Sequence, residues 1–488
     1  MDKLLNTIKR YIPKKLFKAL QPVYHFLLAA LAAVCYGGPS NKLIVVGVTG
    51  TTGKTTSVYL IARLLQSAGF KVGFTSTAMY SDGRNEYLND KKMTMAGRFF
   101  TQKILKRMVK NKCQYALIET TSQGIEQFRH KFINYDLLIF TGLYPEHIEA
   151  HGGFKNYKLA KGKLFAHLKA CKTKYADNEN RVIKVDNGFK KIEANRVKKT
   201  IIANADDPEA GYFLNFWAEE KWGYRLATRN PQPATRNPKS QINFVEYENI
   251  KSNSQGVNFV VGESEIKLNL LGEYNAANAM NAVCLGLSQG IELEKIKNGL
   301  EKAKTVPGHM EMIASPQSFA LFGEVRGFGV IVDYAFEPEA LKRVYQTISR
   351  LEHNKIIQVL GSAGGGRDSA RRPKLGRLAG ERADLVIVTN EDPYDDDPKM
   401  IIDQVAAGAE QAGKILDKNL FKIDDRRQAI KKALTLAGEG DIVLITGKGS
   451  EQAICAANGE KIPWDDRKVG REELGKLEAR SEKQWLSK

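Results

Sequence analysis

Short apolar runs alternate with amphipathic stretches along most of the chain. Leu43–Val48, Tyr115–Ile118, Leu137–Phe140, Ile356–Leu360, Leu385–Val388 and Ile442–Ile445 are short apolar runs, interrupted only by Gly47 and Gln358, the pattern of strands covered on both faces. Between them, Thr55–Ala68, Asn275–Gln289, Pro338–Leu351 and Pro398–Gln411 repeat their apolar positions at helical spacing. This rhythm predicts an α/β protein with mainly parallel sheets. A new α/β section starts near Thr305-Val-Pro-Gly-His. One stretch interrupts the pattern: Ala227-Thr-Arg-Asn-Pro-Gln-Pro is followed at once by Ala234-Thr-Arg-Asn-Pro-Lys-Ser. A duplication of that length, rich in Pro and Asn, reads as a surface-loop insertion.

The first residues follow a different pattern. Six basic residues (Lys3, Lys9, Arg10, Lys14, Lys15, Lys18) stand against Asp2 alone, and an apolar stretch from Phe26 to Tyr36 follows. Three readings are open: a helix packed on the body or lying at a membrane surface, a membrane span, or a secretory signal. The run falls short of the ~20 apolar residues of a span. Ala-Ala-Val before Cys35 makes a poor cleavage site, which favours the first reading.

Composition narrows the class. Of 488 residues, 43% are apolar and 26% charged, which excludes collagen-like, low-complexity and wholly disordered chains. The formal charge of +19 favours polyanionic partners such as nucleic acid, anionic lipid or phosphorylated substrates, without choosing among them. Residues 155–199 carry fourteen Lys/Arg against four acids, which reads first as a solvated basic face. The five cysteines are scattered and form no CxxC pair, as in a reducing compartment.

The strongest chemical signal is Gly47-Val-Thr-Gly-Thr-Thr-Gly-Lys-Thr-Thr56, placed between a strand and a helix. Backbone N–H groups of such a loop, with the helix N-terminus behind them, bind phosphate oxygens. Lys54 would reach the β- and γ-phosphates and Thr55 an Mg²⁺ ion. The strict phosphate-loop pattern has Gly where this chain has Val48, so the loop is a variant built on Gly50, Thr51, Thr52, Gly53, Lys54, Thr55 and Thr56. His147 and His151 are spaced like zinc ligands, but Ile148 stands where a zincin carries Glu.

The loop Gly50-Thr-Thr-Gly-Lys-Thr-Thr56 resembles that of the Mur ligases, the amide-forming enzymes of peptidoglycan synthesis. The likeness continues in order through Glu119-Thr-Thr-Ser-Gln-Gly with Arg129, Pro145-Glu-His-Ile-Glu-Ala-His151, Lys161 before Leu164-Phe165, and Asn204-Ala-Asp-Asp-Pro208. Leu271-Gly-Glu-Tyr-Asn275, Val306-Pro-Gly-His-Met-Glu311, Val332-Asp333, Gly364-Gly-Gly-Arg367, Asn390-Glu-Asp-Pro393 and Gly447-Lys-Gly-Ser-Glu451 follow, and the branch that adds the third residue of the muramoyl peptide is the most similar.

The resemblance implies a central ATP-binding domain at 41–305, a Rossmann-like C-terminal α/β domain at 306–488, and a separate segment 1–40. It implies an ATP-dependent ligase that joins an amino acid to a muramoyl-peptide acceptor through an acyl phosphate. Lys54, Glu119, His147 and Lys161 would carry catalysis, with Thr55, Glu119, His147 and Lys161 at Mg²⁺ and Lys161 carried as a carbamate formed with CO₂. Asn275 and Asp333 would contact adenine and ribose. Thr121, Arg129, Arg367, Asp392, Asp396, Gly447 and Glu451 would hold acceptor and amino acid. The implied protein is a cytoplasmic monomer without a nucleic-acid partner, placed by residues 1–36 at the inner face of the membrane.

The chain departs from the family pattern at Gln123, His309, Phe336 and Ser450, where His, Arg, His and His are usual. Only about 40 residues precede the loop, where the family carries a domain that grips the uridine nucleotide. The uridine end is therefore expected to be held differently, or the acceptor to be another one. Amidation of a lipid-linked precursor, polyglutamylation and a non-catalytic nucleotide-binding scaffold are the competing readings. The amidating relatives usually bear a four-cysteine zinc ribbon, which is missing here. Where relatives that add meso-diaminopimelate have Asp-Asn-Pro-Arg, this chain has Glu391-Asp-Pro-Tyr394, followed by Asp395, Asp396 and Asp397. No guanidinium fork meets a distal carboxylate there, and three carboxylates would attract an ammonium. L-lysine or ornithine is the expected amino acid, with capping of the next helix as the alternative role for the three aspartates.

Overall fold

A computed structural model describes residues 14–145, 151–183, 195–227, 242–314, 327–366 and 369–486. The duplicated segment lies outside them, apart from its first residue, Ala227.

The first described element is α1 (Lys14–Tyr36), and the chain then enters a large sheet. Its parallel strands are β1 (Ile44–Thr49), β2 (Val72–Thr75), β3 (Tyr115–Glu119), β4 (Leu137–Phe140), β5 (Thr200–Asn204), β6 (Glu220–Leu226) and β7 (Asn243–Asn253). In space they run β7-β6-β5-β4-β1-β3-β2, and antiparallel strands extend both edges. Residues of β1 alternate between the two faces. Ile44, Val46 and Val48 enter one apolar cluster with α2 (Lys54–Ser67), while Val45 enters the other with α3 (Arg98–Lys110) and α4 (Phe154–Leu168). Burial on both faces is why the strand reads as an apolar run. The first cluster is closed by α5 (Tyr274–Ser288).

The second sheet contains β8 (Glu311–Ala314), β9 (Gly329–Asp333), β10 (Ile356–Leu360), β11 (Leu385–Thr389), β12 (Leu420–Ile423) and β13 (Ile442–Thr446). Their order is β8-β9-β13-β10-β11-β12, parallel except for β8, with apolar clusters on both faces. The mixed α/β class with mainly parallel sheets is therefore present, and the apolar runs coincide with strands to within a residue or so at each end.

One expectation is met and one changes. The Phe26–Tyr36 run belongs to a helix, described from Lys14 onward, that packs against α3 with Ala29, Ala32 and Ala33 turned inward, as the favoured reading expected. Among the described residues no helix is long and apolar enough to cross a membrane. The basic stretch 155–199 is only partly a solvated face, because Lys161, Lys174 and Lys199 are buried. Lys174 and Lys199 flank the buried Asp136 at 2.5 and 2.8 Å, and burial pushes the Lys174 ammonium down to about 8.

Candidate active site

Residues 50–53 turn the chain from β1 into α2. Gly53 has φ 77°, in the left-handed region, and a Cβ there would run into Asn278 Oδ1 of α5. A Cβ on Gly50 would overlap Thr141 Oγ1. Crowding therefore requires both glycines, and the turn presents the unpaired N–H groups of a helix start, the arrangement that attracts phosphate. Lys54 Nζ donates back to Thr51 O at 2.6 Å, and Thr141 Oγ1 donates to Thr52 O at 2.6 Å.

Glu119 is the last residue of β3 and pairs in register with Val48 of β1. That register brings its carboxylate to the start of α2. It accepts hydrogen bonds from Thr55 Oγ1 at 2.9 Å, Thr77 N at 2.8 Å and Thr77 Oγ1 at 3.0 Å, and it is only 1% exposed. A hydroxyl and a carboxylate beside a phosphate loop are hard oxygen donors, which suit Mg²⁺. Among the described residues there is no ready-made cluster of three or more His, Cys, Asp or Glu side chains. His147 and Arg367 lie outside the described residues.

Lys161, on α4, is 1% exposed. Its Nζ donates to Gly50 O at 2.8 Å and sits 4.6 Å from the centre of the Tyr157 ring.

Two cavities meet at this loop. The larger, about 570 Å³, is bounded by the loop, Asn275, Asn278, His309, Asp333 and Arg343. Asn275 donates to Leu271 O at 2.8 Å and accepts from Asn278 at 2.8 Å. Asp333 ends β9 and accepts the N–H groups of Met310 (2.6 Å) and Ala335 (2.7 Å). Burial nevertheless pushes its carboxyl up to about 6, against the lowering effect of those bonds. Burial, with a smaller contribution from the Lys54 charge, pushes His309 down to about 4 against the pull of Glu311. The side chain is therefore neutral at pH 7. Arg343 donates to Thr52 Oγ1 at 3.0 Å, so the second domain touches the phosphate loop directly.

The smaller cavity, about 270 Å³, is bounded by Thr121, Arg129, Lys161, Lys92, Asp392 and Glu451. Thr51, Lys54, Thr77 and Thr121 line both cavities. Thr121 caps the short helix Ser122–Glu126, accepting from Gly124 N at 3.1 Å. Arg129 donates to Gln127 Oε1 at 2.7 Å and to Met95 O. Burial and repulsion from Arg98 lower it to about 10, with no carboxylate among the described residues acting to raise it.

Asp392 and Glu451 are not free to receive an amino acid unaided. Lys92 bridges them at 2.8 and 2.6 Å, and Lys448 bridges them again at 2.7 Å each. Burial opposes ionisation of Asp392, but the two ammonium groups outweigh it and hold the carboxyl below its usual range.

The three following aspartates do not line either cavity. Asp395 accepts Asn458 N at 2.8 Å, Asp396 pairs with Arg372 at 3.1 Å, and Asp397 caps the helix Pro398–Gln411 through Lys399 N at 3.0 Å. Each aspartate of the run already has a partner, so an incoming ammonium would have to compete for it. Gly447 is likewise outside both linings; a Cβ there would strike Glu391.

Sequence reasoning did not single out Thr77, Lys92, Arg343 or Lys448. Lys448 sits inside the quoted Gly447–Glu451 motif, which was a usable signal. Lys92 is one of many lysines, and its partners lie 300 and 359 residues away.

A phosphate loop with a strand-end carboxylate, closed over by a second α/β domain, defines an ATP-dependent enzyme of the P-loop class. The Mur ligase middle domain matches residues 48–200, and the Mur ligase glutamate ligase domain matches residues 319–449. The UDP-N-acetylmuramyl-tripeptide synthetase of Roseiflexus sp. (strain RS-1) is 33% identical over 456 residues, covering 92% of this chain and 82% of that protein. The UDP-N-acetylmuramoyl-L-alanyl-D-glutamate–2,6-diaminopimelate ligase of Clostridium tetani (strain Massachusetts / E88) is 31% identical, covering 92% and 81%. A solved UDP-N-acetylmuramoyl-L-alanyl-D-glutamate–2,6-diaminopimelate ligase superposes with TM-score 0.53 at 25% identity, over 90% of this chain and 79% of that one. The chain belongs to the Mur ligase family, the ATP-dependent amide-bond-forming ligases of peptidoglycan synthesis.

Proposed function

We propose that this ligase joins an amino acid to a UDP-N-acetylmuramoyl-dipeptide-type acceptor. The acceptor carboxylate attacks the γ-phosphorus of ATP and ADP leaves. The amine of the amino acid then attacks the acyl phosphate carbonyl, loses a proton, and displaces inorganic phosphate. The observation that carries this reading is the junction of the two cavities at Thr51 and Lys54, with the uncompensated Arg129 on the far side. Nucleotide in the larger cavity and an anionic acceptor in the smaller one would meet at the γ-phosphate.

In this reading Lys54 spans the β- and γ-phosphates, as a positioned cation in a dry site does best. Asn275 and Asp333 hold adenine and ribose, while Thr121 and Arg129 hold the acceptor. Magnesium, held by Thr55, Glu119, His147 and a Lys161 carbamate, would neutralise the crowded phosphate oxygens. The carbamate forms when the Lys161 amine adds to CO₂ and loses a proton, which turns a buried cation into an anion beside the loop. Residues 41–305 act as the ATP-binding domain and 306–488 as the domain that closes over it. The enzyme works as a cytoplasmic monomer, with residues 1–36 against the inner face of the membrane.

The added amino acid is a cation, L-lysine or ornithine. The support is Tyr394, an uncharged residue in the wall of the smaller cavity, beside the carboxylates of Asp392 and Glu451. A distal carboxylate would find no guanidinium at Tyr394, and the ammonium groups of Lys92 and Lys448 are already taken up by Asp392 and Glu451. ADP release with UDP-muramoyl-dipeptide and either L-lysine or meso-diaminopimelate tests both levels. Turnover with neither sinks the acceptor reading, and a preference for meso-diaminopimelate sinks the amino-acid reading alone.

A further inference from the structure

Helix α1 carries an apolar face that stands exposed among the described residues. Leu20, Val23, Leu27, Leu31 and Val34 are 51%, 55%, 60%, 51% and 78% exposed, and Tyr24 lies among them. The opposite side, through Ala29, Ala32 and Ala33, is buried. The stripe from Leu20 to Val34 is about 21 Å long at the rise of an α-helix. Residues 19–36 contain no charged side chain, whereas residues 1–18 contain six cations and one anion. A strongly basic segment running into a half-buried apolar helix is the chemistry of an interfacial anchor on anionic lipid.

We propose that the exposed face of α1 docks on an anionic lipid bilayer, lying in its surface while the alanine side stays packed on the protein. This gives a face and a lipid class to the membrane placement proposed above, on which it rests. Docking would also orient the acceptor cavity. Phe26 of α1 packs against Phe128 and Phe132 at ring distances of 6.1 and 5.2 Å, and the next residue after Phe128 is Arg129, in the cavity wall. The segment that carries Arg129 in the cavity wall therefore also packs on the docking helix.

A second copy of the chain is the other occupant to weigh, because Leu20, Tyr24, Leu27, Leu31 and Val34 follow heptad spacing. The positions flanking that seam are Val23, Leu28, Ala30 and Cys35, none of which is charged. Paired helices normally set partner and orientation with charges there. The basic flank instead complements a negative surface, so lipid is favoured.

The test is co-sedimentation of the full chain with vesicles of equimolar phosphatidylglycerol and phosphatidylcholine, compared with phosphatidylcholine alone. The double variant L27E/L31E is run alongside. The wild type should bind the anionic vesicles, weakly at high salt, and the variant should bind about a hundredfold less, from two apolar side chains lost to the lipid. Circular dichroism and vesicle-free ADP release should be the same for both proteins, since neither leucine touches the site. Equal binding of wild type and variant overturns the proposal, as does equal binding to both vesicle types. So does an absence of vesicle binding together with a dimer in sedimentation velocity that the variant dissociates. Vesicle binding needs no turnover, so a failed ligation assay alongside intact anionic binding would count against the acceptor reading only.

Discussion

The carboxyl of Asp333 ties stability to pH in a direction opposite to that of most aspartates. Its value in the folded chain is about 6, against 3.8 for an unperturbed Asp, and burial is the cause. Between those pH values the folded state holds a proton that the unfolded state has released. Stability therefore falls as pH rises through the window, and the penalty is complete above about pH 6. A gap of about 2 pH units corresponds to about 3 kcal/mol. Burial also pushes the Glu391 and Asp207 carboxyls up and His309 down to about 4, so a single stability curve would not isolate this group. The D333N variant does. Its amide sets one N–H group against the backbone donors of Met310 and Ala335, a cost of about 1–3 kcal/mol that does not depend on pH. Urea unfolding of both proteins from pH 4 to pH 7 should show the wild type losing about 3 kcal/mol relative to D333N. A difference that stays flat across that range would refute the argument. Because Asp333 lines the larger cavity, where we propose the nucleotide binds, the KM for ATP should also rise in the wild type as pH falls through about 6, and not in D333N.

Three further outcomes are expected. K54A should lower ATP turnover by about a thousandfold or more, read as ADP release, because no other side chain in the loop carries a positive charge to the γ-phosphate. K161A should lose most activity and regain part of it with added short carboxylates; near-full activity without them would exclude a carbamate role. K92M leaves Asp392 and Glu451 to share Lys448 alone, so urea unfolding should show a loss of about 3 kcal/mol, the usual cost of breaking a buried pair.

Much of this architecture could be read from the chain because its strands are covered on both faces. A run such as Ile442–Ile445 has no polar position to obscure it, and the strand extends only one residue further, to Thr446. The phosphate loop was equally legible, since its glycines answer to local backbone needs. Contacts between domains were not. Lys92 and Arg343 act through partners hundreds of residues away, and nothing in their immediate neighbours distinguishes them from surface cations. The separate partners of the aspartate run were hidden for a related reason. Asp395, Asp396 and Asp397 look like one acidic patch in sequence, but consecutive residues in a turn point in different directions and each found its own donor.

The pairing of β1 with β3 also bears on how damage to this enzyme would show itself. Leu117 packs in the cluster with Val46 and Val48, whereas Ala116 and Ile118 pack in the opposite one with Val45. Sliding β3 by one residue would exchange these sets and turn Glu119 away from Thr55. The apolar side chains of a strand that touches no substrate therefore act as an alignment key for the carboxylate at its tip. Core substitutions that loosen this key without unfolding the sheet would yield a protein of normal secondary structure that has lost ATP chemistry. Such lesions would be classed as active-site defects in an assay, although their origin is buried beneath the loop.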